Sequence, residues 1–315
     1  MSNSAAVTDI FTPSSSSWAH SPGCDSPEDS KVHDQLHRVF SGESPPRSLS
    51  ESRQVQLQVE QGPYIQLDAA PGPRALFEGL LHAMLGHWSL FKRGWLHRDV
   101  TFSNVLLLRQ RVACPAFTDF EATKNITSCV GVLASGGDRA VNWKLDQREL
   151  AKHRSGTLPF TSRQLLFAWG LGEPAVHTAI DDVESFLWVL IWALLVSIRR
   201  RGELTNCEQY WLASMTPRFM GDSSRTSILQ NMPWVFASGW GASRLILCFR
   251  TVIEKWGDLL GPAHLEIVEL VDSKPGEAVP LDRYYALCEE YYQKYIEAGL
   301  AELSKLPETW EEVSL

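Results

Sequence analysis

A polar loop between two apolar segments is the feature that most constrains how this chain can fold. The loop contains His97-Arg98-Asp99 and reaches Asn104 five residues after the aspartate. Val105 to Leu108 follow as an unbroken apolar run, which predicts a buried strand that holds the loop rigid. A carboxylate can accept the proton of an attacking hydroxyl, and an amide oxygen can reach a metal ion. The spacing therefore predicts that both groups converge on one reacting centre.

Three further segments follow this loop along the chain and support one interpretation. Phe117-Thr118-Asp119-Phe120-Glu121 contains an Asp-Phe pair after a short predicted strand. Ser155-Gly156-Thr157-Leu158-Pro159-Phe160 contains a Gly-Thr pair before an aromatic residue, and Asp181 to Trp188 opens a strongly apolar helix. A polar loop, an Asp-Phe pair and a later helix in this order are typical of protein kinases, in which the second aspartate binds a metal ion.

At these positions the chain resembles the fungal-type protein kinase family. That family's loop reads His-Arg-Asp-Ile/Val-Ser-x-x-Asn, a pattern that this chain follows closely from His97. The family carries Asp-Phe-Asp where most kinases carry Asp-Phe-Gly, and the third residue here is Glu121. Its later helix begins Asp-Asp-Leu-Glu-Ser-Phe, close to the sequence that starts at Asp181. The resemblance covers roughly residues 54 to 300, most of a C-terminal kinase lobe.

The resemblance implies a fold and a set of site residues. The implied fold is mainly α, a kinase-like C-terminal lobe with a few short β-strands and a truncated N-terminal lobe. Asp99 is implied as the catalytic base, and Asn104 and Asp119 are implied as the ligands of Mg²⁺ and the residues that bind ATP. Three residues are implied as structural support for the loop: His97, Arg98 and Asp182. A helix-capping role is the alternative for Asp182, and the two roles can coexist.

Composition and periodicity divide the chain into four segments. Residues 1–52 are rich in Ser and Pro and are predicted to be mostly disordered, because such a composition buries little apolar surface. Alternating apolar residues predict extended structure in residues 53–72, which the resemblance implies are the last strand of the N-terminal lobe and a hinge-like segment. Residues 73–305 would form the C-terminal lobe, and residues 306–315 a tail. From Asp119 to Gly156 the chain is predicted to be one long polar loop, the activation segment.

Apolar periodicity predicts three long helices in the C-terminal lobe. Apolar residues recur at helical spacing from Arg74 to Lys92, which predicts a long helix just before the polar loop. The segment from Val183 to Ile198 is apolar almost all round, which predicts a buried central helix. A stripe of tyrosines from Leu281 to Leu303 is predicted to pack on the lobe, with a partner surface as the alternative.

The sequence before His97 departs from that of a working kinase. Such an enzyme needs a Gly-rich loop that covers the phosphates and a Lys that pairs with them. No Gly-x-Gly-x-x-Gly precedes His97, and the lysines there are Lys31 and Lys92, of which Lys92 belongs to the predicted long helix. Gln164 stands where kinases place a Glu, which predicts that a buried ion pair is weakened or lost. We therefore expect low activity from this chain.

Net charge and cysteine placement argue against several other classes of protein. A formal net charge of −8 argues against nucleic acid or an anionic membrane surface as the main partner. The six cysteines are scattered without a Cys-x-x-Cys pair, which predicts reduced thiols and no zinc site. We find no signal-peptide pattern and no apolar run long enough to cross a bilayer, so we expect an intracellular protein, cytoplasmic or nuclear.

Three functions remain open on the sequence alone. The first is ATP-dependent phosphoryl transfer to a Ser or Thr hydroxyl of a protein substrate, with Asp99 as the base. The second is a catalytically dead pseudokinase or truncated copy that acts as a binding scaffold for a protein partner. The third is a small-molecule phosphotransferase, because such enzymes share the His-x-Asp and Asn pattern. The sequence identifies neither a substrate nor a partner.

Overall fold

Helices make up most of the described chain, and the strands are few and short, which confirms the predicted mainly α fold class. The computed structural model describes residues 64–114, 117–134, 138–139, 157–173, 175–202, 204–216, 222–238, 241–272 and 280–313. The strands are β1 (Tyr64–Gln66), β2 (Trp95–Leu96), β3 (Val105–Ala113), β4 (Ser128–Leu133) and β5 (Asp138–Arg139). The helices are α1 (Pro73–Lys92), α2 (Arg163–Leu171), α3 (Ala179–Arg201), α4 (Asn206–Ser214), α5 (Asp222–Ser238), α6 (Arg244–Cys248), α7 (Arg250–Asp272) and α8 (Leu281–Leu303).

Helix α1 begins one residue before its predicted start, at Pro73, and ends at Lys92 as predicted. Proline suits the first helical position because an N–H there would have no partner within the helix. Gly94 follows with a φ of 81°, a left-handed conformation that glycine adopts without steric cost. The apolar positions of α1 are buried in the main core, as their periodicity predicts.

Helix α3 is the buried central helix that the apolar run from Val183 to Ile198 predicts. Its first turn is fixed by Asp181, whose Oδ2 accepts from the backbone N–H of Thr178 at 2.7 Å. The tyrosines of α8 pack in the same core, which confirms that the stripe serves packing. The buried members of the stripe are Tyr284, Tyr291, Tyr292 and Tyr295.

Strand β3 is the centre of a three-stranded antiparallel sheet in which β1 and β4 lie on either side. The register places Val105 opposite Leu133 at one end of the β3–β4 pair and Ala113 opposite Ser128 at the other. Strands β2 and β5 form a separate antiparallel pair. Because β2 ends just before His97 and β3 begins just after Asn104, the polar loop is held by a strand at each end.

Strand β4 corrects the prediction of one polar loop from Asp119 to Gly156. Residues Ser128–Leu133 form a strand in which Cys129 and Val132 are buried. This short, mostly apolar segment lies among polar residues, and its pairing with β3 supplies the ladder that makes it a strand. The prediction for residues 140–156 lies outside the described chain.

Helix α1 and strand β4 approach each other at two glycines. A Cβ atom added at Gly131 would lie 1.9 Å from the carbonyl oxygen of Gly79. A Cβ atom added at Gly79 would lie 2.0 Å from a methyl carbon of Leu107 on β3. Since no side chain fits between these backbones, the glycines fix the position of the β3–β4 pair on α1.

Residues near the C-terminus pack against the start of α1. The indole N–H of Trp310 donates to the carbonyl of Ala70 at 2.7 Å, and Arg74 Nη2 donates to the carbonyl of Leu306 at 2.8 Å. Both Leu306 and Trp310 are buried in the main core. The predicted tail therefore packs with the lobe as far as Val313.

Two predictions fall on residues that the structure does not describe. These are the Ser/Pro-rich segment 1–52 and the first part of the hinge-like segment, residues 53–63. Among the described helices, none combines the length and the apolar character needed to span a membrane.

Candidate functional site

Asp182 fixes the polar loop by accepting hydrogen bonds from its backbone. The N–H groups of His97 and Arg98 each donate to a carboxylate oxygen at 3.0 Å. Two imidazole rings complete its surroundings, with Nε2 of His87 at 2.8 Å and Nε2 of His177 at 2.9 Å. The Asp182 side chain is fully buried. These contacts are those expected of a supporting residue for the loop.

The histidines set the charge state of Asp182. Burial on its own would raise the pKa of Asp182, because it removes the charged form from water. The charge of His177 and the hydrogen bonds from His177 and His87 outweigh burial and hold the pKa well below its usual range. The same carboxylate raises the pKa of His177 against the opposing effect of burial. Asp182 is therefore ionised at neutral pH and accepts from all of its donors.

His87 links α8 to the loop through Asp182. Its Nδ1 is hydrogen-bonded to the hydroxyl of Tyr292, and the two rings stack with centroids 5.8 Å apart. A ring that carries a proton on Nε2 can donate to Asp182, while Nδ1 can accept from the hydroxyl of Tyr292. The structure shows here a positioning contact that no local pattern in the sequence indicates.

The loop contains one residue in a left-handed conformation. Arg98 has a φ of 62°, which is uncommon for a residue with a side chain and costs of order 1 kcal/mol. Its N–H is one of the two that Asp182 holds, at 3.0 Å. The hydrogen bond to Asp182 therefore holds the loop at Arg98, the residue with the unfavourable backbone conformation.

Asp99 and Asn104 are brought together, as the loop spacing predicts. Nδ2 of Asn104 donates to the carbonyl of Asp99 at 2.8 Å and to its Oδ2 at 3.2 Å. The other carboxylate oxygen, Oδ1, accepts from the backbone N–H of Thr157 at 3.1 Å and from its hydroxyl at 2.9 Å. The carboxylate of Asp99 is therefore placed to accept from a hydroxyl at normal hydrogen-bond distance.

The segment that carries Thr157 is held by a buried arginine of α5. Nη2 of Arg225 donates to the carbonyls of Leu158 at 3.1 Å and Pro159 at 2.6 Å. Its guanidinium lies over the ring of Trp188, 4.9 Å from the centroid. Burial lowers the pKa of Arg225 to about 10, so the group stays charged at neutral pH. Sequence analysis missed this residue, because nothing near it in the chain indicates a partner.

Asp119 has different neighbours from the other predicted site residues. Its Oδ2 accepts from the indole N–H of Trp88 at 3.1 Å, and its Oδ1 pairs with the ammonium group of Lys92. Both partners lie near the C-terminal end of α1. Phe120 packs on the same tryptophan, with ring centroids 5.4 Å apart. The hydrogen bonds of Asp119 therefore go to α1 and not to Asn104.

The sheet register explains this placement. Asn104 directly precedes the end of β3 at which Val105 faces Leu133, whereas Asp119 belongs to the connection beyond the opposite end. The chain returns to the loop only after β4, where the N–H of Ala134 donates to the carbonyl of Asn104 at 2.7 Å. The sequence that follows Ala134 is Ser135-Gly136-Gly137-Asp138, so the first carboxylate residue after this return belongs to β5.

The carboxylate predicted to ligate Mg²⁺ is engaged by a cation of the chain itself. Mg²⁺ in a nucleotide site takes its protein ligands from one or two carboxylates, with phosphate and water oxygens in the remaining positions. Within the described ranges no group of three or more His, Cys, Asp or Glu side chains could hold a metal ion. Asp119, the carboxylate predicted for this role, is already paired with the cation of Lys92. Its role as a metal ligand stays a prediction.

A second buried carboxylate pairs with Arg163, the residue next to Gln164. Glu184 of α3 accepts from Nε of Arg163 at 3.1 Å and from Nε2 of His264 at 2.7 Å. The indole N–H of Trp188 donates to it at 2.9 Å. Burial would raise the pKa of Glu184, but the hydrogen bond and charge of His264 and the charge of Arg163 lower it to about 2. A buried ion pair is therefore present, with its acid on α3.

Comparison with known proteins identifies one family. The family model described as fungal protein kinase matches residues 21–194, which is more than half of the chain. The match includes the polar loop, Asp119 and the first part of α3. No curated protein and no solved structure matches this chain.

Proposed function

The chain belongs to the fungal protein kinase family, and we propose that it is a kinase-like domain that binds Mg-ATP weakly and transfers phosphate poorly on its own. The observation that carries this proposal is the pairing of Asp119 with Lys92 and Trp88. The ammonium group of Lys92 competes with a metal cation for this carboxylate. The loop thus offers Asn104 beside Asp99, whereas Asp119, the other predicted ligand, is held by residues of α1.

Asp99 supports the family's chemistry at one point. It accepts from the hydroxyl of Thr157 at 2.9 Å, the distance at which a base meets the hydroxyl of a Ser or Thr substrate. We therefore propose a Ser or Thr hydroxyl as the acceptor in whatever transfer the chain carries out. Orienting this hydroxyl is of little use unless the charge on the transferred phosphoryl group is also neutralised. The surroundings of Asp119 argue against that second condition.

A domain with this arrangement would act mainly by binding a protein partner. The buried contacts of Asp182 with His97 and Arg98 keep the loop in shape without any turnover. The proposed function is therefore that of a pseudokinase, a binding scaffold and not an efficient enzyme. A small-molecule phosphotransferase has no observation in its favour.

Nucleotide binding tests the proposal directly. We expect millimolar Mg-ATP to raise the melting temperature of the wild-type chain by less than about 1 °C, because a ligand far below its Kd stabilises very little. Lys92→Gln removes the cation that occupies Asp119 and should increase this shift to several degrees. The increase should require Mg²⁺ and should vanish in the double variant Lys92→Gln/Asp119→Asn. Lys124→Gln is the matched control, since Lys124 pairs with Glu121 on the same connection.

Two outcomes would overturn the proposal. A shift of several degrees in the wild type that Asp119→Ala abolishes would show that Asp119 already ligates the metal. Efficient transfer of labelled phosphate to a generic protein, abolished by Asp99→Asn, would show that the chain is an active enzyme. If Lys92→Gln binds no better than Lys124→Gln, the Lys92 pair is not the cause of weak binding.

A further inference from the structure

Two buried thiols face each other where β3 and β4 meet. Sγ–H of Cys129 donates to Sγ of Cys114 at 2.9 Å, and both thiols are free. Cys129 belongs to β4, whereas Cys114 directly follows β3 and donates its N–H to the carbonyl of Thr127 at 2.9 Å. Both cysteines lie in the main core. Their separation is set by the strands and does not depend on a mobile loop.

We propose that Cys114 and Cys129 are a modification site, at which a hydroperoxide such as hydrogen peroxide converts the two thiols into an intramolecular disulfide. A disulfide bond is about 2.05 Å long, so the two sulfurs need to approach by only about 0.9 Å. The ladder holds both sides of the pair, with Val112 opposite Cys129 and Ala113 opposite Ser128. The remaining cysteines offer no comparable pair within the described chain.

The reaction balances with two thiols and one peroxide. The Cys114 thiolate attacks one peroxide oxygen, so that an S–O bond forms, the O–O bond breaks, and the departing hydroxide takes up a proton to become water. Cys129 then attacks the sulfenic sulfur of Cys114, which forms the S–S bond and releases the second oxygen as water. Cys114 reacts first because it is 9% exposed, whereas Cys129 is fully buried. The peroxide gains two electrons, and the thiols lose two.

Burial makes oxidation of these thiols slow, and proximity decides which two thiols are linked. Burial raises the pKa of Cys114 and of Cys129, so few molecules carry a thiolate at neutral pH. We therefore expect oxidation over hours and not seconds. The exposed Cys248 meets peroxide more often, but within the described ranges no second cysteine lies against it as Cys129 lies against Cys114. A disulfide should therefore form at the buried pair alone.

The disulfide would close the connection that carries Asp119. Residues 115–128 lie between the two cysteines, so the bond would tie both ends of this connection together. Fixing these ends restricts the unfolded chain and stabilises the folded one, with an expected rise in melting temperature of roughly 5 °C. This inference does not depend on nucleotide binding and holds for an active or an inactive domain.

Peptide mapping after oxidation tests the proposal. The folded wild-type chain is treated with hydrogen peroxide, quenched, alkylated and digested with trypsin without reduction. Trypsin places Cys114 in the peptide 112–124 and Cys129 in the peptide 125–139, so the disulfide appears as a linked pair of known mass. We expect these linked peptides in the wild type and in Cys248→Ala. We expect them to be absent from Cys114→Ala and from Cys129→Ala. Reduction should release the peptides and reverse the rise in melting temperature.

Several results would overturn the proposal, and none depends on the variants folding. Linked peptides that join either cysteine to Cys207 or Cys248 would show that proximity does not decide the product. Sulfinic acid on Cys114 without a linked peptide would show that Cys129 cannot reach it. A linked pair that forms only in urea would show that the folded strands hold the sulfurs apart.

Discussion

Two carboxylates that the sequence assigns to one site lie in opposite surroundings. Asp182 is fully buried and accepts from two backbone N–H groups of the loop and from His87 and His177. Asp119 has a side chain that is 28% exposed, and its partners are an indole and an exposed lysine on α1. Asp182 thus accepts from the loop and from two buried histidines, whereas Asp119 pairs with residues of α1, and its role as a metal ligand stays a prediction.

Folding enforces the position of only one of these two carboxylates. A buried carboxylate without partners costs several kcal/mol, so the chain cannot bury Asp182 without supplying donors to it. A partly exposed carboxylate is solvated wherever it lies, and its position near Asn104 is not needed for stability. Asp119 can therefore pair with Lys92 without destabilising the fold. The stability of the fold therefore depends on the position of Asp182 and not on the position of Asp119.

The largest effect is expected on removing the buried carboxylate. Asp182→Ala leaves the N–H groups of His97 and Arg98 and the rings of His87 and His177 without their shared acceptor. We expect a loss of about 3–5 kcal/mol in the free energy of unfolding, measured by urea denaturation.

The control for this prediction is a carboxylate without such partners. Asp258 is exposed on α7, and Asp258→Ala should change the free energy of unfolding by less than about 0.5 kcal/mol. A loss below about 1 kcal/mol in Asp182→Ala would mean that the loop is held by other contacts. The contrast with Asp119 would then no longer hold.

A smaller effect on the free energy of unfolding is expected for Glu184, the second buried carboxylate, and its partner His264. Burial lowers the pKa of His264, but the hydrogen bond and charge of Glu184 outweigh burial and raise it. The protonated ring of His264 therefore stabilises the fold fully at a pH below the pKa of the unfolded chain. This contribution is lost as the pH rises through the pKa of the folded chain. We expect the difference in unfolding free energy between the wild type and His264→Gln to shrink by about 1 kcal/mol between about pH 7 and about pH 9. Urea denaturation at both pH values measures it.

The matched control is a buried histidine with the opposite shift. Burial lowers the pKa of His82 to about 4, so its ring is neutral in the fold throughout that interval. The difference between the wild type and His82→Gln should therefore stay constant from about pH 7 to about pH 9. A pH-independent difference for His264→Gln as well would show that the Glu184 pair contributes through shape and not through charge.

Much of the fold and part of the site could be predicted from the sequence, because those features are local. The periodicity of α1 and the continuous apolar run of α3 specify buried helices at nearly the observed bounds. The five-residue spacing of Asp99 and Asn104 places both side chains on one loop, and they are in contact. In each case the residues that decide the outcome lie within a few turns of one another.

The rest depends on pairing between distant parts of the chain. His87 is 95 residues from Asp182 and 205 residues from Tyr292, and no local pattern indicates such contacts. The place of Asp119 follows from the register of β3 with β4, and β4 is a short apolar run that sequence analysis assigned to a polar loop. An Asp-Phe pair at a suitable distance predicts a metal ligand only if the chain returns to the loop at that point.

The smallest effect is expected at Asp119 itself. Asp119→Asn and Lys92→Gln should each lower the free energy of unfolding by less than about 1 kcal/mol, since the pair is partly exposed and solvent screens it. A double-mutant cycle measured by urea denaturation should give a coupling energy below about 1 kcal/mol, which falls further at high salt. A coupling above about 2 kcal/mol would show that the fold does enforce the pairing of Asp119 with Lys92. Asp119 would then resemble Asp182, and its displacement from Asn104 would be a requirement of stability.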